Sequence, residues 1–401
     1  MKKLVWLIVV SVAVSMMMVI AAIVLIWQYV RPSPQPANIS PGVAFQSAGD
    51  STTKADLAKV INESPNRVMS RPGLAGAIGG VRVKITSSEP QEVILPIPQL
   101  ADGQAPICFV VSSTPPDAVT EMRFRRREDS NVVVGIRFKG EKQEVQIAWS
   151  AVVLLAPHSV TTNTTPADPY RSATACVQSQ ADEIVKLAAS LWPASGKPDE
   201  FAANIQRHIR ESRRKQQPRS LDALGILQCG ENSICTANSN LAAALMRAKG
   251  IACRSVAVIP PTGQRLEMHR IVEYFDKDRW IAFDPSSLQT DVPAKPWQNI
   301  VMAKTTIFDE QTAMKPRMGS MIGCPYGQEI ELLSTGVTLW GQDFFWTQAK
   351  PLAEFEPTEQ AIQAAIEAWN RTLESGMVSA GQIKASAAKD SSQLIESLRA
   401  R

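Results

Sequence analysis

The stretch EMHRIVEYFDKDRWIAFDPSS, residues 267–287, allows few structures. Two runs rich in β-branched and aromatic residues flank the charged segment DKDR, a pattern that reads as two short strands joined by a tight turn. With Lys277 and Asp278 at the centre of that turn, residue 276 faces 279 and residue 271 faces 284. Side chains alternate along a strand, so His269, Ile271 and Asp284 share one face. Asp284 is then diagonal to His269, at the roughly 7–8 Å spacing across which an imidazole and a carboxylate can meet. A three-residue turn would put Asp284 on the wrong face.

Upstream, CTANSNLAAALMRAKGIACR (235–254) opens on a cysteine and runs into a helix, with Ala237, Leu241, Ala244, Leu245 and Ala248 along one stripe. Arg247 and Lys249 fall in its last turn, and Gly250 suits the position just after it. A cysteine at a helix start is often only a small buried hydrophobe. The same place also stabilises a thiolate. A thiolate nucleophile needs a base, and the base needs an orienting group. His269 follows Cys235 by 34 residues and Asp284 follows His269 by 15. A helix packed on the hairpin would bring Cys235 to the second nitrogen of His269. Taken singly, each residue has a structural explanation: a buried thiol, a strand histidine, a turn aspartate before Pro285. Taken together, in helix-start, strand and strand-end positions, they favour catalysis.

These phrases resemble the transglutaminase-like superfamily, a branch of the papain-like cysteine enzymes. LMRAKGIACR (245–254) matches the family phrase that closes the nucleophile's helix, HRIVEYF (269–275) the histidine phrase, and WIAFDPS (280–286) the acid phrase. The resemblance is strongest over 221–287. It implies Cys235 as nucleophile, His269 as its base and Asp284 as the residue that fixes the imidazole tautomer. The resemblance also implies attack on a carboxamide or peptide carbonyl. The backbone N–H of Cys235, and Gln228 or Asn232, are the candidate oxyanion donors. Two departures bear on the substrate pocket. The residues around the cysteine, ENSICTANSN, are polar and amide-rich, and Arg270 and Ile271 replace the family's Ala-Trp.

The expected fold class is α+β: a papain-like transglutaminase core, with a helix-borne cysteine on an antiparallel sheet. A small β-sandwich and an N-terminal transmembrane helix precede it. Residues 4–30 carry no charge over 27 positions, enough to span a bilayer as a helix. Lys2 and Lys3 precede the run and only Arg31 follows it, so a signal anchor (1–31) would leave the rest of the chain outside the cytoplasm. RPSPQPANISP (31–41) reads as a stiff stalk, and 32–77 is assigned to stalk plus one short helix over 50–64. Six short β-branched runs over 78–157 suggest the β-sandwich. The catalytic domain is assigned to 170–355, starting with helices at 176–192 and 199–216, and C-terminal helices to 356–401, the first over 357–375.

The six cysteines form no Cys-x-x-Cys and there are three histidines, which argues against a structural zinc. Cys229, six residues before Cys235, is close enough to pair with it if the loop bends back, although packing under the loop is the simpler role. No calcium loop of the Asp-x-Asp-x-Asp-Gly kind occurs, and no cofactor is implied. The net charge of +4 and the lack of basic–aromatic motifs exclude nucleic acid as the expected partner. A protein or peptide substrate is expected, with the membrane as anchor. Three readings remain: thiol-dependent amide hydrolysis, which the missing calcium loop favours; protein-glutamine cross-linking; and a non-enzymatic tethered scaffold with an inert core.

Overall fold

The computed structural model describes residues 52–126, 131–157, 167–212, 221–229, 235–263, 269–287, 292–312, 331–332, 336–339, 345–374 and 377–378. The expected anchor (1–31), the stalk at 31–41, residues 158–166, Asn232 and the tail beyond 378 lie outside them. Among the described residues no helix is long and apolar enough to cross a membrane.

Helix α1 (Thr52–Glu63) is followed by six strands: β1 (Gly73–Ile85), β2 (Gln91–Pro96), β3 (Gln104–Thr114), β4 (Val119–Arg126), β5 (Val132–Phe138) and β6 (Gln143–Leu155). Then come helices α2 (Asp182–Leu191), α3 (Pro198–Glu211), α4 (Ala223–Cys229) and α5 (Cys235–Ala248), and strands β7 (Cys253–Ile259), β8 (His269–Asp276), β9 (Arg279–Phe283) and β10 (Ile300–Lys304). The chain continues with α6 (Ile307–Thr312), β11 (Glu331–Leu332), β12 (Val337–Leu339), β13 (Phe345–Glu354), α7 (Glu359–Glu374) and β14 (Met377–Val378).

Two antiparallel sheets share one buried core. In the first, β1 lies between β6 on one side and β12 and β13 on the other, with β3 beyond β6. The second has the order β11-β2-β5-β4-β14. Val81, Val83, Phe109 and Trp149 of the first meet Val93, Leu95, Val134 and Phe138 of the second.

Two expectations are corrected here. The first strand begins at Gly73, five residues before the anticipated sandwich boundary, because GLAGAIGG uses glycine for close packing. A Cβ at Gly79 would sit 2.4 Å from the Trp149 ring. The stretch 331–354, assigned to the catalytic domain, pairs instead with the sandwich strands: β11 with β2, and β12 and β13 with β1. Likewise β14 pairs with β4, so the C-terminal segment is not purely helical.

The third sheet, β10-β7-β8-β9, carries α5 on one face. Ala237, Leu241 and Leu245 pack with Val272, Tyr274, Ile281 and Phe283, while the alternate residues Ile271, Val256 and Val258 form a separate cluster with Val301. Residues 236–247 of α5 are all buried, and Ala242, Ala243 and Ala244 let it lie close among its neighbours. It stops in a paired closure, with Gly250 N–H donating to Arg247 O and Ile251 N–H to Met246 O, which Gly250 permits at φ +75.

Buried amides join this sheet to the sandwich. Gln104 exchanges two hydrogen bonds with the backbone of Val301 (2.7 and 2.9 Å), and Asn131 exchanges two with Lys304 (2.7 and 2.9 Å). Gln99 Nε2 donates to Met302 O at 3.0 Å. Side-chain amides thus occupy polar groups of β10 that a further strand would otherwise pair.

Candidate active site

The hairpin that carries His269 closes as its spacing requires. Asp276 pairs with Arg279 and Val272 with Phe283. Lys277 and Asp278 have φ of 48° and 68°, the two left-handed residues that a type I′ turn demands. His269 opens β8, and Asp284 follows the last residue of β9. His269 Nε2 lies 2.8 Å from Asp284 Oδ2. The imidazole also shares a hydrogen bond with Cys235, the first residue of α5, and Nδ1 is the ring nitrogen left for the sulfur. The structure therefore brings together the three residues singled out in the sequence, two from a hairpin and one from a helix start.

The charges are arranged to separate a proton from the thiol. Burial pushes the Cys235 thiol up. The hydrogen bond and charge of His269, the backbone N–H of Arg270 and the Arg270 charge outweigh it, leaving the thiol below its ordinary value of 9.0. For His269, burial works downward, but hydrogen bonds and charges from Asp284 and Cys235 prevail and push the imidazole up to about 10. Both directions favour a thiolate–imidazolium pair near neutral pH, and the positive end of α5 favours the same state. The other cysteines with described side chains, Cys108, Cys176 and Cys253, are 0–1% exposed. Burial raises the Cys253 thiol.

Asp284 is held on several sides. Its Oδ1 accepts the Ser286 backbone N–H at 2.8 Å. Its carbonyl accepts Gln206 Nε2 at 2.8 Å and the Ser287 N–H at 3.2 Å. Asn238, on α5, donates to Ser286 Oγ at 2.9 Å. Arg270, where the family pattern has alanine, is 3% exposed and directs Nη1 to Thr305 Oγ1 at 3.4 Å.

Gln206, Asn238 and Ser286 are not singled out by the sequence, which marks Arg270 only as a departure beside the substrate pocket. The available signal was TANSN itself: Asn and Ser are poor helix residues, and a helix that keeps them buried uses them. Of the oxyanion candidates, Gln228 is exposed at the end of α4, Asn232 is outside the described residues, and the side chain of Cys229 is outside them too. Among the described residues no cluster of His, Cys, Asp or Glu could hold a metal ion.

Residues 183–285 match the sequence model of the transglutaminase-like superfamily, a range that contains Cys235, His269 and Asp284. This part of the chain is a transglutaminase-like core. No curated protein matches the sequence. A solved structure from Cytophaga hutchinsonii, described as a "Putative Cysteine Protease", is similar with a TM-score of 0.51 at 13% identity, over 72% of this chain and 94% of that one. At that identity the likeness establishes a shared fold. A structure from Parabacteroides distasonis, described as a "Putative Protease", has a TM-score of 0.24 at 14% identity, over 52% of this chain and 43% of that one. The transglutaminase-like core thus supplies the helix and hairpin, and Ala257 and Ile259 of β7 with Ile300 and Met302 of β10 join the buried cluster of the sandwich strands.

Proposed function

We propose that the protein is a thiol enzyme that hydrolyses amide or peptide bonds through Cys235, His269 and Asp284. The observation that carries this reading is the hydrogen-bonded chain from a helix-start sulfur through an imidazole to a fixed carboxylate. The Cys235 thiolate attacks the carbonyl carbon, and the S–C bond forms as the π electrons move to oxygen. The Cys235 backbone N–H is the nearest natural donor to that oxyanion. When the tetrahedral adduct collapses, the C–N bond breaks and the His269 imidazolium gives its proton to the leaving amine. Water, deprotonated by His269, then adds to the acyl-enzyme, and the carboxylic product leaves as the thiolate reforms. An amine in place of water would give a cross-link by the same steps.

Labelling with an iodoacetamide probe near pH 7, followed by peptide mapping, is expected to find Cys235 modified fastest. Preferential labelling of another cysteine would end the assignment. Incorporation of a labelled primary amine into a glutamine-bearing protein, faster than amide hydrolysis, would move the reading to transamidation. No labelling of Cys235 and no turnover would favour the inert scaffold. Residues 4–30 are further proposed to anchor the enzyme with its core outside the cytoplasm. Protease added to intact cells should then release the core, and protection until lysis would refute that orientation.

A further inference from the structure

The polar run at the start of α5 is where this sequence leaves its family's pattern, and the structure buries it. Thr236, Asn238, Ser239 and Asn240 are all 0–3% exposed. Asn is costly inside a helix, since its amide competes with the backbone. Asn238 is turned to a specific partner. Its Nδ2 donates at 2.9 Å to the hydroxyl of Ser286, 48 residues away on the loop after β9. That loop also carries Asp284.

Ser286 is the natural grip on the carboxylate. Pro285 has no N–H, so Ser286 offers the first backbone donor after Asp284, and it donates to Oδ1 at 2.8 Å. With Oδ1 occupied, the carboxylate cannot rotate without losing that bond, and Oδ2 stays on His269 Nε2. Asn238 lies three residues after Cys235, about 4.5 Å along the same helix axis and on a neighbouring part of its surface. One rigid element therefore sets the sulfur and, through a side chain one turn later, the loop that orients the imidazole.

We propose that Asn238 and Ser286 are positioning residues for Asp284: the Asn238 amide fixes the Ser286 hydroxyl, and the Ser286 N–H fixes Oδ1 so that Oδ2 faces His269. The inference rests on the Cys235–His269–Asp284 reading and adds to it a link between the nucleophile's helix and the acid's loop. In this proposal both act through Asp284 rather than on the substrate or the reacting sulfur. Their effect passes through the orientation of the imidazole, which with the Arg270 charge and backbone N–H governs how readily Cys235 ionises.

The test is the rate of Cys235 alkylation by iodoacetamide as a function of pH, on the full-length chain, which requires no known substrate. Asn238→Ala and Ser286→Ala are each expected to slow alkylation at pH 7 about two- to tenfold, the weight of one neutral hydrogen bond. The midpoint of the pH profile should move up toward that of an ordinary thiol. Ser286→Thr, which keeps the hydroxyl and the N–H, should retain the wild-type profile. Should Asn238→Ala fail to fold, Ser286→Ala carries the comparison alone, since it removes only one hydroxyl from a half-buried loop. His269→Ala separates the two levels. If it moves the midpoint and the alanine variants do not, the positioning role is wrong while the triad stands. If His269→Ala leaves the profile unchanged, the triad reading fails and this inference with it. A lowered melting temperature with an unchanged midpoint marks the contacts as structural only and overturns the proposal.

Discussion

Two charged pairs on either side of α5's course show what burial does to an ion pair. Arg247, in the last turn of the helix, is fully sealed with Glu310, at 0% and 1% side-chain exposure. Its guanidinium donates to both carboxylate oxygens at 2.8 Å, and also to the backbone carbonyls of Cys253 and Ser172. Glu310 is further held by the Thr174 hydroxyl at 3.0 Å. At the other end of the helix, His269 and Asp284 keep 26% and 24% exposure. The first pair has bidentate geometry and a guanidinium that never loses its proton, so its charge is permanent. The second is built on a group that titrates, and it stays partly open to solvent. One pair ties α5 to the loop before α2 and to α6, while the other stands beside the sulfur at its start.

The largest expected effect falls on the open pair. His269→Ala should lower amide turnover by about 10²–10⁴-fold, the usual weight of a positioned acid–base group. Its melting temperature should stay close to wild type. A large fall in melting temperature would show that the open pair is structural after all, and the contrast would collapse. Next comes the sealed pair. Glu310→Gln leaves the buried Arg247 charge uncompensated and should cost about 3–5 kcal/mol, seen as a lower midpoint in urea. Replacing both partners, Arg247→Met with Glu310→Leu, should recover much of that loss. An unshifted urea midpoint for Glu310→Gln would show that the sealed pair is dispensable.

The smallest effect sharpens the comparison. Because the Cys235 thiol is lowered and His269 is raised, the thiolate is present at pH values below an ordinary thiol's 9.0. Alkylation of native Cys235 should therefore have its pH midpoint below 9.0, and Asp284→Asn should move it upward by weakening the imidazolium. The Arg247→Met, Glu310→Leu variant should leave the midpoint where it was. A midpoint that follows the sealed pair instead would mean that both ends of α5 act on the sulfur.

What could be read from the residues alone lay in short-range pattern. The helix over 235–248 is set by its apolar stripe and by Gly250, which relieves the left-handed strain at its end. The register that puts His269 and Asp284 on one face follows from a two-residue turn and the strand's period of two. Each of these is decided by residues within about one or two turns of the chain, where spacing carries the information. The tertiary structure alone decided which distant segments meet. Nothing local in β12 or β13 says that they pair with β1, some 250 residues earlier in the chain, because their partner's edge is made elsewhere. GLAGAIGG reads locally as a breaker and becomes a strand because β6 and β13 pair along it and Trp149 packs on Gly79. TANSN is polar and amide-rich in the sequence and becomes a buried polar joint because Ser286 and the carbonyl of Leu221 meet its amides. A buried polar group is tolerable only where a partner meets it, and in this protein those partners come from remote parts of the sequence.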